Sequence, residues 1–225
     1  MNSKTVDGIN NDPSRLAAQI MAEIRALSAP STTTVRAVRR QYSKQLTQVD
    51  AAFMRKVAHA LIEQFDQRWL AYELVRYHKG AFRALGAAEV EALGQGIHSW
   101  DTVDAFARIL AGPAWLHGQL ADATIQQWAL STDRWWRRTA LVSTVALNMR
   151  SQGGQGDVSR TLAICELLVA DHEDMVVKAL SWALRELIVH DAGAVETFLA
   201  THEGALAARV KREVRNKLTT GLKNP

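Results

Sequence analysis

A single cysteine, Cys165, occurs in 225 residues. That excludes an intrachain disulfide framework and any cysteine-based zinc or iron–sulfur site. Four prolines and 13 glycines are too few for a turn-rich all-β fold. The seven histidines are scattered, with no His-x-x-x-His pair, so neither a metal nor a cofactor is expected. No run approaches the ~18–20 apolar residues of a membrane span. Residues 1–13 lack the apolar stretch of a secretory signal. The expectation is a soluble, cytoplasmic protein without membrane contact. No segment alternates apolar and polar residues long enough to argue for a strand.

What is present is helical. Apolar residues make up 48% of the chain, enough for an extended core. Periodicity predicts helices over 13–28, 33–47, 50–65, 67–80, 88–95, 101–111, 122–130, 134–150, 157–170, 173–190, 192–201 and 205–220. Breaks are expected at Ser28 to Ser31, at Gly94 to Gly96, at Gly112-Pro113 and at Gly153 to Gly156. Residues 1–12 read as a disordered tail, and 13–225 as one domain. Helices 50–65 and 67–80, 134–150 and 157–170, and 173–190 and 192–201 pair with a period of roughly 35–40 residues. Such pairs cannot bury their apolar stripes alone. They stack, and the predicted fold is an all-α superhelical solenoid of helical repeats with a concave face, against the alternative of a compact bundle.

The net charge is +4, and its placement is uneven. From Glu203 onward there are six basic residues, among them Lys211 and Arg212, against two acidic ones. A second cluster places Arg36, Arg40 and Lys44 at i, i+4, i+8, one stripe of a helix. Each cluster is read either as a solvated face or as a surface for an anionic partner.

Three segments could carry chemistry. In Lys178-Ala179-Leu180-Ser181-Trp182-Ala183-Leu184-Arg185-Glu186, Val176, Leu180, Ala183, Leu184 and Leu187 share one face. Lys178, Trp182 and Arg185 share the opposite one. An indole between two cations, away from the core stripe, suits a flat or anionic ligand such as nucleic acid. In His98-Ser99-Trp100-Asp101-Thr102-Val103-Asp104, Trp100 and Asp104 are i, i+4 and lie at the flank of a face formed by Val103, Phe106, Ile109 and Leu110. The bland reading makes Ser99 or Asp101 an N-cap and Asp104 a partner of Arg108. In Asp133-Arg134-Trp135-Trp136-Arg137-Arg138, Arg137 points away from the apolar side and Arg138 projects into it. A guanidinium there needs an anion: a neighbouring carboxylate such as Asp104, or a phosphate held bidentately.

The stretches Ser99 to Asp104, Trp135 to Ala140 and Lys178 to Glu186, with their mutual spacing, resemble the AlkD-like DNA alkylation repair glycosylases, built of HEAT-like repeats. The resemblance extends more loosely over residues 15–220. It implies a monofunctional hydrolase of base excision repair that releases cationic N3- and N7-alkylated purines from duplex DNA. Asp104 matches the family's catalytic carboxylate, Trp100 and Trp182 its cleft tryptophans, and Arg138 its cleft arginine. Arg36, Arg40, Lys44, Lys178, Arg185, Lys211 and Arg212 become the expected DNA contacts of a basic concave face. The implied partner is double-stranded DNA carrying alkylated purines, met by a monomer in the cytoplasm at the nucleoid, without cofactor. The family's early Gly-x-x-x-Pro-x-x-Arg pattern is absent from Thr34 to Arg40, where only the basic stripe survives. Two rivals remain: a non-enzymatic HEAT-like protein that binds damaged or branched DNA by shape, and a protein-interaction scaffold. Trp69, Tyr72, Trp115, Trp128 and Cys165 are expected in the core.

Overall fold

The computed structural model describes residues 12–225, and the described residues form helices joined by turns, with no strand among them. Residues 1–11 of the expected tail lie outside the described residues. Asp12, the last residue of that tail, belongs to the fold. Its carboxylate accepts from the Ser14 and Arg15 amides at 2.9 and 3.2 Å and starts α1 (Pro13–Arg25). The same device opens several later helices. Asp50, Asp133, Asp157 and Asp191 each offer a side-chain oxygen to an otherwise orphaned first-turn amide.

The chain divides into two compact units, between Gln95 and Gly96, where the Gly94 to Gly96 break was expected. In the first unit α2 (Thr32–Gln45), α3 (Ala51–Phe65), α4 (Arg68–Tyr77), α5 (Lys79–Arg83) and α6 (Ala87–Gly94) follow α1. Helix α1 packs on α3, α2 on α4, and α3 on α4 and α5. Leu16, Ile20, Met54, Leu61, Leu70, Tyr72 and Leu74 form the core between them. Within this core Glu73, 4% exposed, takes Arg39 at 3.0 Å and Arg36 at 3.2 Å.

The second unit contains α7 (Trp100–Phe106), α8 (Gly112–Leu116), α9 (Asp122–Ala129), α10 (Arg134–Asn148), α11 (Val158–Leu167), α12 (Asp174–Leu187), α13 (Ala192–Thr201) and α14 (Ala208–Thr220). Helices α10, α12 and α14 pack in sequence, while α9 lies on α11 and α13 on α12. This alternation is how paired helices stack. Helix α10 is the centre: α7, α8, α9, α11 and α12 all pack against it. It is therefore buried without interruption from Arg138 to Asn148, not on one face only. Periodicity had shown one stripe; packing on several sides removes the other.

The break expected at Gly112-Pro113 is not a break. Helix α7 runs through a wide π turn at Ala107–Ala111 directly into α8. The Gly112 amide bonds the Ala107 carbonyl, five residues back. Pro113 then stands at the start of an α-helical segment, where a missing N–H costs least. Gly112 is required by closeness. A β-carbon there would lie 2.7 Å from the Ser143 carbonyl oxygen and 2.9 Å from the Ala146 β-carbon of α10. Alanine ordinarily stabilises a helix relative to glycine. Here Gly112→Ala is expected to destabilise by about 1–3 kcal/mol through overpacking, read as a lower midpoint in urea with an unchanged m-value.

Candidate functional site

The site lies wholly within the second unit. Ser99 starts α7, its amide donating to the Thr102 hydroxyl at 3.2 Å. Trp100 follows as the first helical residue and is 57% exposed, so its indole contributes little to any core. One turn later, Asp104 points toward α10. Behind it, Phe106 meets Trp136 edge-on at 5.9 Å between ring centroids, and Trp136 meets Trp128 at 5.1 Å. This aromatic cluster seats α7 against α9 and α10.

Asp104 and Arg138 form a bidentate pair. Nε donates to Oδ1 and Nη2 to Oδ2, both at 2.9 Å. The remaining Nη1 donates to the Met175 carbonyl of α12 at 2.6 Å. The Arg138 side chain is 6% exposed and that of Asp104 18%. One guanidinium thus ties α7, α10 and α12 together. The partner of Arg138 is the neighbouring carboxylate, one of the two anions its position called for. Burial pushes the Asp104 carboxyl above the usual carboxylate range; the hydrogen bonds and charge of Arg138, then the charge of Arg108, pull it back only in part.

On α12 the expected faces are observed. Val176, Leu180, Ala183, Leu184 and Leu187 are buried, and Lys178, Trp182 and Arg185 are half-buried. Trp182 donates its indole N–H to Glu186 at 2.9 Å. The Arg108 guanidinium stands over its ring, 5.6 Å from the centroid. The i, i+4 partnership of Arg108 with Asp104 does not form: Arg138 takes the carboxylate, and Arg108, within the wide turn that begins at Ala107, turns to the indole instead. Arg108 had been weighed only as the bland partner of Asp104 and not among the site residues. Its position one turn from Asp104 was the available signal.

The expected DNA contacts differ in how free they are. Lys178 is paired with Asp174 at 2.6 Å. Arg185 donates to the Ser181 hydroxyl at 3.3 Å, and burial lowers its guanidinium's pKa. Lys211 reaches Glu203 at 3.4 Å, while Arg212 is exposed. In the first unit, Arg36 holds Glu73 and covers Trp69 at 5.0 Å. Arg40 and Lys44 are exposed and flank a shallow groove with Ala37, Gln41 and Gln45. Arg137 is held by Asp171 at 2.7 Å and by the Ser131 and Thr132 carbonyls. Among the described residues no group of His, Cys, Asp or Glu is arranged to hold a metal ion, and no helix is long and apolar enough to cross a membrane.

The family model described as "DNA alkylation repair enzyme" matches residues 10–218. The chain belongs to this family. It is accordingly an enzyme of DNA alkylation repair, and DNA is its partner. No curated protein and no solved structure matches the chain significantly. All the residues singled out above, from Arg36 to Arg212, fall inside the matched span of this DNA alkylation repair enzyme. Cys165 is fully buried, its thiol's pKa raised by burial, and Trp115, Trp128 and Tyr72 are core; Trp69 is half-buried under Arg36.

Removing Arg138 would strand the Asp104 charge. Arg138→Ala is expected to cost about 3–5 kcal/mol at neutral pH, in the range for breaking a buried pair from one side. Without the guanidinium, the Asp104 pKa rises further. The loss should therefore be largest at high pH, where the unpaired carboxyl must be buried as an anion, and should shrink as falling pH neutralises it. Denaturant titrations at pH 5 and pH 8 measure the difference.

Proposed function

We propose that this DNA alkylation repair enzyme is a monofunctional glycosylase that hydrolyses the N-glycosidic bond of cationic N3- and N7-alkylated purines in duplex DNA. The observation that carries the reading is Asp104: a carboxylate fixed at both oxygens by Arg138, one helical turn from an exposed indole, Trp100. The two Arg138 bonds use two of the roughly four acceptor positions on a carboxylate. The others remain for a water and for the sugar.

The chemistry asks little more. Alkylation at N7 or N3 leaves the purine positively charged, so it departs without a general acid. The enzyme must stabilise positive charge growing on the deoxyribose and supply a nucleophilic water. One carboxylate near C1′ does both, by its field and by orienting or deprotonating the water. A carboxyl whose pKa is raised is also a better base. Indole faces at Trp100 and Trp182 favour the cationic base and sugar by ~0.5–2 kcal/mol each. An uncharged purine lacks that charge and leaves slowly, so selectivity needs no base-reading pocket. That departs from the extrusion used by most base-modifying enzymes.

On this reading the protein works as a monomer without cofactor in the cytoplasm, at the nucleoid. Within each unit its helices stack in the manner of HEAT-like repeats. Arg40, Lys44 and Arg212, which are exposed, would follow phosphates without reading sequence. The second reading is a non-enzymatic binder of damaged or branched DNA. What favours it is the same ion pair, which is also sufficient as a purely structural tie between α7, α10 and α12.

Release of 7-methylguanine from methylated duplex DNA separates the two. Asp104→Asn is expected to lower turnover by at least about a hundredfold with little change in DNA affinity. Wild-type protein that releases no base would remove the glycosylase reading. The acid limb of the pH–rate profile should lie above the ordinary aspartate range, activity being lost as falling pH protonates Asp104.

A further inference from the structure

We infer that Arg108, and not Arg138, is the guanidinium that grips the DNA backbone beside Asp104. The inference rests on duplex DNA as the ligand of this face, but not on bond cleavage there.

Arg138 is already committed. Three of its donor bonds go to Asp104 and to the Met175 carbonyl, and its side chain is 6% exposed. A phosphate could take it only by displacing the carboxylate. The other cations nearby are also engaged: Arg137 with Asp171, Lys178 with Asp174, and Arg185 with the Ser181 hydroxyl, which itself donates to Glu213 at 2.6 Å.

Arg108 is different in kind. Its Nε is buried and has no hydrogen-bond partner among the described residues. No carboxylate among them lies within ion-pair distance of it. Its guanidinium lies over the face of Trp182, 5.6 Å from the ring centroid. Stacking engages the flat face of a guanidinium and leaves its edge, with the forked N–H donors, available. A buried donor left unmet is costly; the two Nη groups, which are not among the buried unpaired atoms, can take two phosphate oxygens bidentately, and a small shift of the side chain would bring Nε to one of them.

The placement fits the ligand. Arg108 lies one turn beyond Asp104, close enough for its charge to be felt at that carboxyl. A phosphate flanking a sugar presented to Asp104 would come to this edge. The π turn at Ala107–Ala111, a type of irregularity frequent at functional sites, is the local structure that carries it. Stacking would hold the guanidinium in one orientation before DNA arrives, so less side-chain freedom is lost on binding.

The test is affinity for an unmodified duplex, measured by fluorescence anisotropy between 50 and 200 mM salt (about the range over which such contacts report). Arg108→Gln is expected to weaken binding on the order of tenfold and to reduce the slope of log K against log salt by about one. Arg108→Lys should keep the slope while losing part of the affinity, because the charge remains and the fork is gone. A Gln variant with wild-type affinity and slope overturns the assignment. Should that variant not fold, the Lys variant decides alone, and wild-type affinity there overturns it. Weakened DNA binding by Arg108→Gln, with a wild-type protein that binds DNA but releases no methylated base, would support Arg108 and sink the glycosylase reading instead. Base release with DNA binding indifferent to Arg108 would do the reverse.

Discussion

The second unit is organised around a charge that cannot be left alone. Arg138 projects from the middle of a helix buried on several sides, and burial of an unpaired guanidinium is prohibitive. Asp104 answers it with both oxygens, and the Met175 carbonyl takes a further donor. Such a pair is weak evidence for stability, since two well-packed apolar side chains could serve as well. Its effect is on register. Helices α7, α10 and α12 can satisfy these three bonds together in one relative alignment, and the indoles of Trp100 and Trp182 ride on two of those helices. The ion pair thus fixes where the Asp104 carboxylate stands relative to α10 and α12.

A consequence is that basic residues here divide into two kinds. A net charge of +4 suggests a surplus spread over the surface, but much of the positive charge is paired with the protein's own carboxylates. Arg36 and Arg39 share Glu73, Arg137 holds Asp171, and Lys178 holds Asp174. Arg36 and Arg39 tie α2 to α4, Arg36 also covers Trp69, and Arg137 ties α10 to the segment before α12, while Lys178 is held within its own helix. The cations left for an outside anion are fewer, with Arg40, Lys44 and Arg212 exposed and Arg108 half-buried against an indole.

Much of this was readable in the sequence because local periodicity and burial agree. The two faces of α12 follow from the spacing of Val176, Leu180, Ala183, Leu184 and Leu187, and the need of Arg138 for an anion follows from its place among apolar neighbours. Where the reading stopped short, the cause was packing between distant segments. Nothing local to residues 134–148 reveals that α10 is enclosed on several sides. Gly112-Pro113 looks like an interruption because glycine and proline usually end helices. Here the glycine makes room for α10 and the proline falls where its missing amide does little harm. The bland pairing of Arg108 with Asp104 rests on the i, i+4 rule, which holds only for regular α-helix. The sequence also could not choose between phosphate and carboxylate for Arg138, since that choice is made by a contact spanning 34 residues.

The wide turn between α7 and α8 also bears on chain length. It holds one residue more than a regular turn, so deleting any one residue between Ala107 and Ala111 would restore ordinary pitch. The segments on either side would keep roughly their mutual orientation, because the extra residue is absorbed within the turn itself. Asp104 could still face Arg138 and Gly112 could still face Ser143. Relatives that lack the extra residue should therefore differ chiefly in where the side chain at the position of Arg108 is aimed.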